Sequence, residues 1–107
     1  PAEQDINKAL DYIHAHYRGK ITIINLAAMC QLSLRQFERR FKSYFNLSPT
    51  QYIMKMRIHE ACDLLCNGSM SIGDIASTLG FYDQSSFTVQ FKKTMSMTPL
   101  QYRKQFF

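Results

Sequence analysis

The 107-residue chain contains no stretch of 18 consecutive apolar residues, and it does not open on a basic segment followed by an apolar one. Neither a membrane-spanning helix nor a secretory leader is therefore expected, and no membrane partner. No initiator methionine precedes Pro1, so a processed or excised fragment is the expectation. Cysteine is scarce and odd in number: Cys30, Cys62 and Cys66 make no complete disulfide framework and read as reduced thiols of a cytoplasmic protein. In a helix, Cys62 and Cys66 would lie one turn apart, with Cβ atoms about 5 to 6 Å from each other, too far for a disulfide. His59 shares their face and offers a third metal ligand, but Ile58, Ala61 and Leu65 make the same positions an apolar core stripe, the usual place for free cysteine. His14 and His16 have no carboxylate or cysteine at ligand spacing and read as surface or boundary residues. The chain also lacks a phosphate-cradling glycine loop, a nucleophile elbow and a carboxylate pair in a pocket-forming context. No enzyme activity, cofactor or metal is expected.

What is present is apolar matter and a modest excess of positive charge. At 46% hydrophobic, with eight Phe and six Tyr, the chain has enough to bury a core, and Met54, Met56 and Met95 read as filler within it. Thirteen Lys and Arg against eight Asp and Glu leave a net charge of +5, which makes an anionic partner plausible. The excess is unevenly placed. Residues 1–32 are neutral, residues 35–57 carry six basic groups and one acidic, residues 58–91 carry four acidic and no basic groups, and the last sixteen residues are +4.

The sequence says nearly the same thing twice. Ile23, Leu26-Ala27 and Leu32 recur 49 residues later as Ile72, Ile75-Ala76 and Phe81. Phe37, Phe41-Lys42, Ser48-Pro49 and Gln51-Tyr52 recur 50 residues later as Phe87, Phe91-Lys92, Thr98-Pro99 and Gln101-Tyr102. The second copy therefore carries one extra residue between its helices. Helix-start chemistry falls where the repeat needs it: Ser33 with Gln36, Ser48 with Gln51, Ser71 with Asp74 and Thr98 with Gln101 are hydroxyl caps with an acceptor three residues on. Pro49 and Pro99 sit at first helical positions, and Gly19, Asn46 and Gly68 are stops able to turn left-handed. The run Ile21 to Ile24 alone looks strand-like, but its partner around Ser71 carries a helix cap. The expectation is an all-α chain of seven helices, at about 5–18, 22–30, 33–45, 48–66, 71–79, 83–95 and 98–105. Residues 1–47 and 68–107 would be two helix-turn-helix subdomains, joined by a linker helix over 48–67.

Two short helices and a tight turn, with the second helix basic, form a DNA-binding pattern. On the helix over 33–45, a 100° projection puts Leu34, Phe37, Phe41, Tyr44 and Phe45 on the buried face. Arg35, Gln36, Arg39, Lys42 and Ser43 then face outward, flanked by Glu38 and Arg40. Arg matches guanine, Gln matches adenine and Glu matches the cytosine amino group. The second such helix buries Phe87 and Phe91 and offers Gln84, Ser85, Thr88, Val89 and Lys92; Val89 stands where Arg39 stood, so it reads less sharply. A nineteen-residue linker helix would be roughly 28 Å long, near the ~34 Å between major-groove segments on one face of DNA. A monomer with two unequal grips on an asymmetric duplex site is expected. Lys92, Lys93, Arg103 and Lys104 are either phosphate contacts or a solvated basic tail. Lys55 and Arg57 lie on the linker, where Arg57 pairs with Glu60 or Asp63 or reaches the DNA backbone. Other readings are a helical module for an acidic protein partner, or architectural DNA binding, the latter disfavoured by the lack of an arm or apolar wedge.

From Ser71 to Arg103, and through Leu26-Ala27, Ser33, Phe37, Arg39, Phe41-Lys42, Ser48-Pro49, Tyr52, Arg57, Ala61 and Leu64-Leu65, the sequence resembles the C-terminal DNA-binding domain of the AraC/XylS family of bacterial transcriptional regulators. The resemblance implies two helix-turn-helix units in adjacent major grooves of bent DNA and activation through contact with RNA polymerase. It also implies, often, an N-terminal effector or dimerisation domain. Base-contacting positions carried over from the family fall on Arg35, Glu38, Arg39, Gln84, Ser85 and Val89. Arg40, Lys42, Lys55, Arg57, Lys92, Lys93 and Arg103 are the expected phosphate contacts. Gln31 stands opposite Gly80, and Ser96 or Met97 stands where a glycine often closes the last recognition helix, so both turns are expected to be altered.

Overall fold

The computed structural model describes the backbone of residues 2–107 and the side chains of residues 6–107. Among them are seven helices and no strand: α1 (Ala2–His16), α2 (Ile23–Met29), α3 (Leu34–Phe45), α4 (Pro49–Cys66), α5 (Ile72–Thr78), α6 (Gln84–Met95) and α7 (Pro99–Phe106). The chain divides into two compact units, Pro1–Met54 and Lys55–Phe107. The division falls inside α4, so the helix expected to join the units gives its first turns to one and its remainder to the other.

The helix starts are built as the spacing requires. Reciprocal capping boxes hold Ser33 with Gln36, Ser48 with Gln51 and Thr98 with Gln101 at 2.9 to 3.1 Å. Ser71 accepts from the Asp74 N–H, and Asp83 caps α6 by accepting from the Ser86 N–H at 2.8 Å. Each such cap satisfies an amide that the helix itself leaves unpaired. Helix ends depart from expectation. Asn46 stops α3 in the left-handed conformation, but Gly19 and Gly68 are not left-handed. The left-handed positions are Gln31 (φ 57°), Asn46, Ser96 (φ 64°) and Gly80 (φ 84°), so the two altered turns keep the glycine conformation with side chains in place.

The repeat is a repeat in three dimensions. In the first unit Phe37 and Phe41 have ring centroids 5.7 Å apart, and Tyr52 meets Phe41 edge-on at 5.5 Å. In the second, Phe87 and Phe91 are 5.7 Å apart and Tyr102 meets Phe91 edge-on at 5.5 Å. The turns match as well: Leu32 N–H donates to the Ala27 carbonyl and Phe81 N–H to that of Ala76, both at 3.0 Å. Around these rings lie Ile6, Ala9, Ile13, Leu26, Ala27 and Cys30 in one unit, and Ile58, Ala61, Leu65, Ile75, Ala76 and Leu79 in the other, all buried. The stripe Ile58-Ala61-Leu65 is thus core, while Cys62 and Cys66 are half-buried beside it. Among the described residues no His, Cys, Asp and Glu cluster suits a metal. Met54, Met56 and Met95 are half-buried, at the margin of the core.

Two positions assigned to the buried face of α3 are exposed: Leu34 at 40% and Tyr44 at 49%. Leu34 begins the helix, and Tyr44 lies in its last turn at the edge of the apolar face, whose centre there is the half-buried Phe45. His14 has a partner that spacing along one helix cannot show: its Nε2 lies 2.8 Å from the Tyr52 hydroxyl, on α4.

A non-glycine residue in the left-handed region costs roughly 1 to 2 kcal/mol, part of which glycine gives back in unfolded-chain entropy. Gln31→Gly and Ser96→Gly should each raise stability by about 1 kcal/mol, read from the urea midpoint at unchanged slope.

Candidate nucleic-acid interface

Burying Phe37 and Phe41, one helical turn apart, turns the opposite face of α3 to solvent. Arg35, Glu38, Arg39 and Lys42 stand on it, exposed, and Arg40 lies half-buried at its flank. Gln36 is exposed too, but its Oε1 accepts the Ser33 N–H at 3.1 Å, so its carbonyl is engaged in capping. Phe87 and Phe91 do the same for α6, leaving Gln84, Ser85, Lys92 and Lys93 exposed, Thr88 half-buried and Val89 61% exposed. The two faces differ in chemistry as expected. The first presents guanidinium groups, and the second presents amide, hydroxyl and isopropyl groups, with its cations confined to the last turn of the helix.

The remaining basic residues divide. Lys55 is exposed on α4. Arg57 is half-buried with its guanidinium 5.8 Å from the Phe81 ring centroid, and burial lowers its pKa from the ordinary arginine value. Arg103 turns inward: its Nε donates to the Leu65 carbonyl at 3.0 Å and its Nη2 to the Met70 carbonyl at 2.7 Å. The first of these oxygens belongs to the last turn of α4, where carbonyls lack helical partners and the helix dipole favours a cation. Interaction with the Cys62 thiol, together with partial burial, pushes the pKa of Tyr102 up to about 12, while burial raises that of the Cys62 thiol. Arg103 thus ties α7 to the last turn of α4.

A profile of the family described as "Helix-turn-helix domain" matches residues 26–105. An AraC-type DNA-binding domain protein from Chromobacterium violaceum superposes with TM-score 0.85 at 27% identity, covering 96% of this chain and 92% of that one. The chain belongs to the AraC-type helix-turn-helix family. The DNA-binding domain of AdpA, solved in complex with a target DNA, has TM-score 0.88 at 25% identity over 94% of this chain and 90% of that one. Among curated relatives, the regulatory protein PocR of Salmonella typhimurium is 34% identical over 98% of this chain. The regulator YdeC of Bacillus subtilis is 35% identical over 92% of it. The AraC-type chain spans about a third of each relative's length, 35% and 34% respectively.

One feature of the second unit went unread in the sequence. Gly73 on α5 lies beneath Gln84: a Cβ at Gly73 would sit 3.1 Å from the Gln84 Oε1. The repeat offered the signal, since the first copy has Ile24 at the matching position. The missing side chain leaves the Gln84 amide room to lie against α5.

The two fates of the basic residues separate by experiment. Arg103→Ala should cost about 2 kcal/mol of stability through lost charged hydrogen bonds and leave the salt dependence of DNA binding unchanged. Lys92→Ala should leave thermal stability unchanged and reduce the slope of log K against log salt by roughly 0.9.

Proposed function

We propose that this AraC-type domain binds a specific duplex DNA sequence as part of a bacterial transcription regulator, with α3 and α6 entering successive major grooves of an asymmetric site. The observation that carries the reading is the doubled arrangement of a capped, aromatic-anchored helix whose outward face is free of core contacts. Arg35, Glu38 and Arg39 on α3 are the principal base readers, and Gln84, Ser85, Thr88 and Val89 on α6 are the weaker ones. Gln36 contributes through its amide N–H groups, its carbonyl being held in the cap. Arg40, Lys42, Lys55, Lys92 and Lys93 hold phosphates and supply most of the salt-dependent affinity. Arg57, packed over Phe81, and Arg103, bonded to backbone carbonyls, hold the second unit together.

The binding of a target DNA by the AdpA domain, whose backbone this chain follows, supports the reading. The chain does no chemistry on its ligand and acts in the cytoplasm, where the chromosome is. The relatives' greater length is compatible with an effector or dimerisation domain in the regulator as a whole, and activation by touching RNA polymerase is part of the same proposal. The 107 residues themselves bind as a monomer.

Selection of bound sites from a random duplex library is expected to return an asymmetric consensus, sharper over one half. On that site Arg39→Ala should weaken binding by about 1 to 3 kcal/mol and relax preference at a single base pair, measured by competition with random duplex. An equal loss on every sequence makes Arg39 a phosphate anchor. A wild-type chain that does not distinguish selected from random duplex overturns the reading in favour of an acidic protein partner.

A further inference from the structure

The extra residue of the second repeat can be located. Leu32 and Phe81 occupy the same place in their turns, each donating its N–H to the corresponding carbonyl at 3.0 Å. Ser33 and Asp83 likewise share the N-cap position of α3 and α6. Between these landmarks the first unit has nothing and the second has Tyr82. It is 93% exposed, and it sits directly before the cap of the recognition helix. Core packing does not hold this ring, and its exposure makes no contribution to folding.

The N-terminal end of a recognition helix is the part that approaches the groove, and the residues just before it run beside the phosphate backbone. In the first unit that end is supplied with Arg35. In the second it has no cation at all, since residues 58–91 contain none, and the carboxylate of Asp83 is occupied in accepting the Ser86 N–H. A phenol is the side chain suited to such a place, because it donates a hydrogen bond to a phosphate oxygen while its ring lies against the sugar.

We propose that Tyr82 is a DNA-contacting residue of the second unit, its hydroxyl donating to a phosphodiester at the edge of the groove that receives α6. This rests on the DNA-binding reading above. The contact is neutral and sequence-independent, so it adds grip where the start of α6 lacks a cation and reads no base.

The test uses the whole chain with Tyr82→Phe and Tyr82→Ala, on a duplex selected by the wild type. Tyr82→Phe should weaken binding about fivefold, the worth of one hydrogen bond, and Tyr82→Ala at least as much, each by the same factor on selected and random duplex. Their salt slope and thermal midpoint should equal those of the wild type. Replacing backbone phosphates one at a time by methylphosphonate should reveal one position that weakens the wild type and leaves Tyr82→Phe unaffected. Wild-type affinity in Tyr82→Phe overturns the proposal, whether or not Tyr82→Ala is weak. A changed base preference in either variant overturns it in favour of base readout. If the wild type itself prefers no duplex, the DNA reading falls and this proposal with it; if it discriminates and Tyr82→Phe matches it, only the role of Tyr82 falls.

Discussion

The two units depend on the burial of a phenylalanine pair one turn apart on the second helix of each, Phe37 with Phe41 and Phe87 with Phe91. Each ring removes on the order of 150 to 250 Å² from water, and both pairs are closed edge-on by a tyrosine from the next helix. A helix of twelve residues is marginal by itself, so this burial decides that α3 and α6 exist and how they are rotated. Everything outward of them follows: residues two positions from the rings along the chain must face solvent, and these are the residues available to a ligand.

Given one scaffold used twice, the units differ in the side chains they present. Arg39 becomes Val89, Leu34 becomes Gln84, and Ile24 becomes Gly73, which leaves the Gln84 amide space against α5. One inserted residue puts a phenol at the entrance to the second helix. The outward face of α3 thus concentrates guanidinium groups, while α6 holds cations only in its last turn. Under the proposed function such a division gives one strong and one weak grip from one repeated scaffold.

Much of this was legible along the chain, because its causes are local. Caps, first-turn prolines and the 3.6-residue spacing of Phe act within four residues, so all seven helices and the outward faces could be read to within about three residues at their ends. What could not be read are the groups whose partners are remote. Arg103 reads along the chain as a phosphate contact or a solvated tail cation, and its guanidinium is bonded to carbonyls more than thirty residues away. His14 looks solitary and meets Tyr52. Leu34 and Tyr44 fit the apolar projection yet remain exposed, since a projection carries no information about where the neighbouring helices end.

The sequence by itself determined the all-α class, the doubling, the helix starts and the uneven placement of positive charge, since each depends on residues close together in the chain or on simple recurrence. Only the tertiary structure decided which cations are free. The residues on either side of a guanidinium do not say whether it lies at the surface, over Phe81 or at the end of α4. What separates these cases is whether a ring or an unpaired carbonyl from a distant part of the chain lies within reach, and that is settled only when the helices pack.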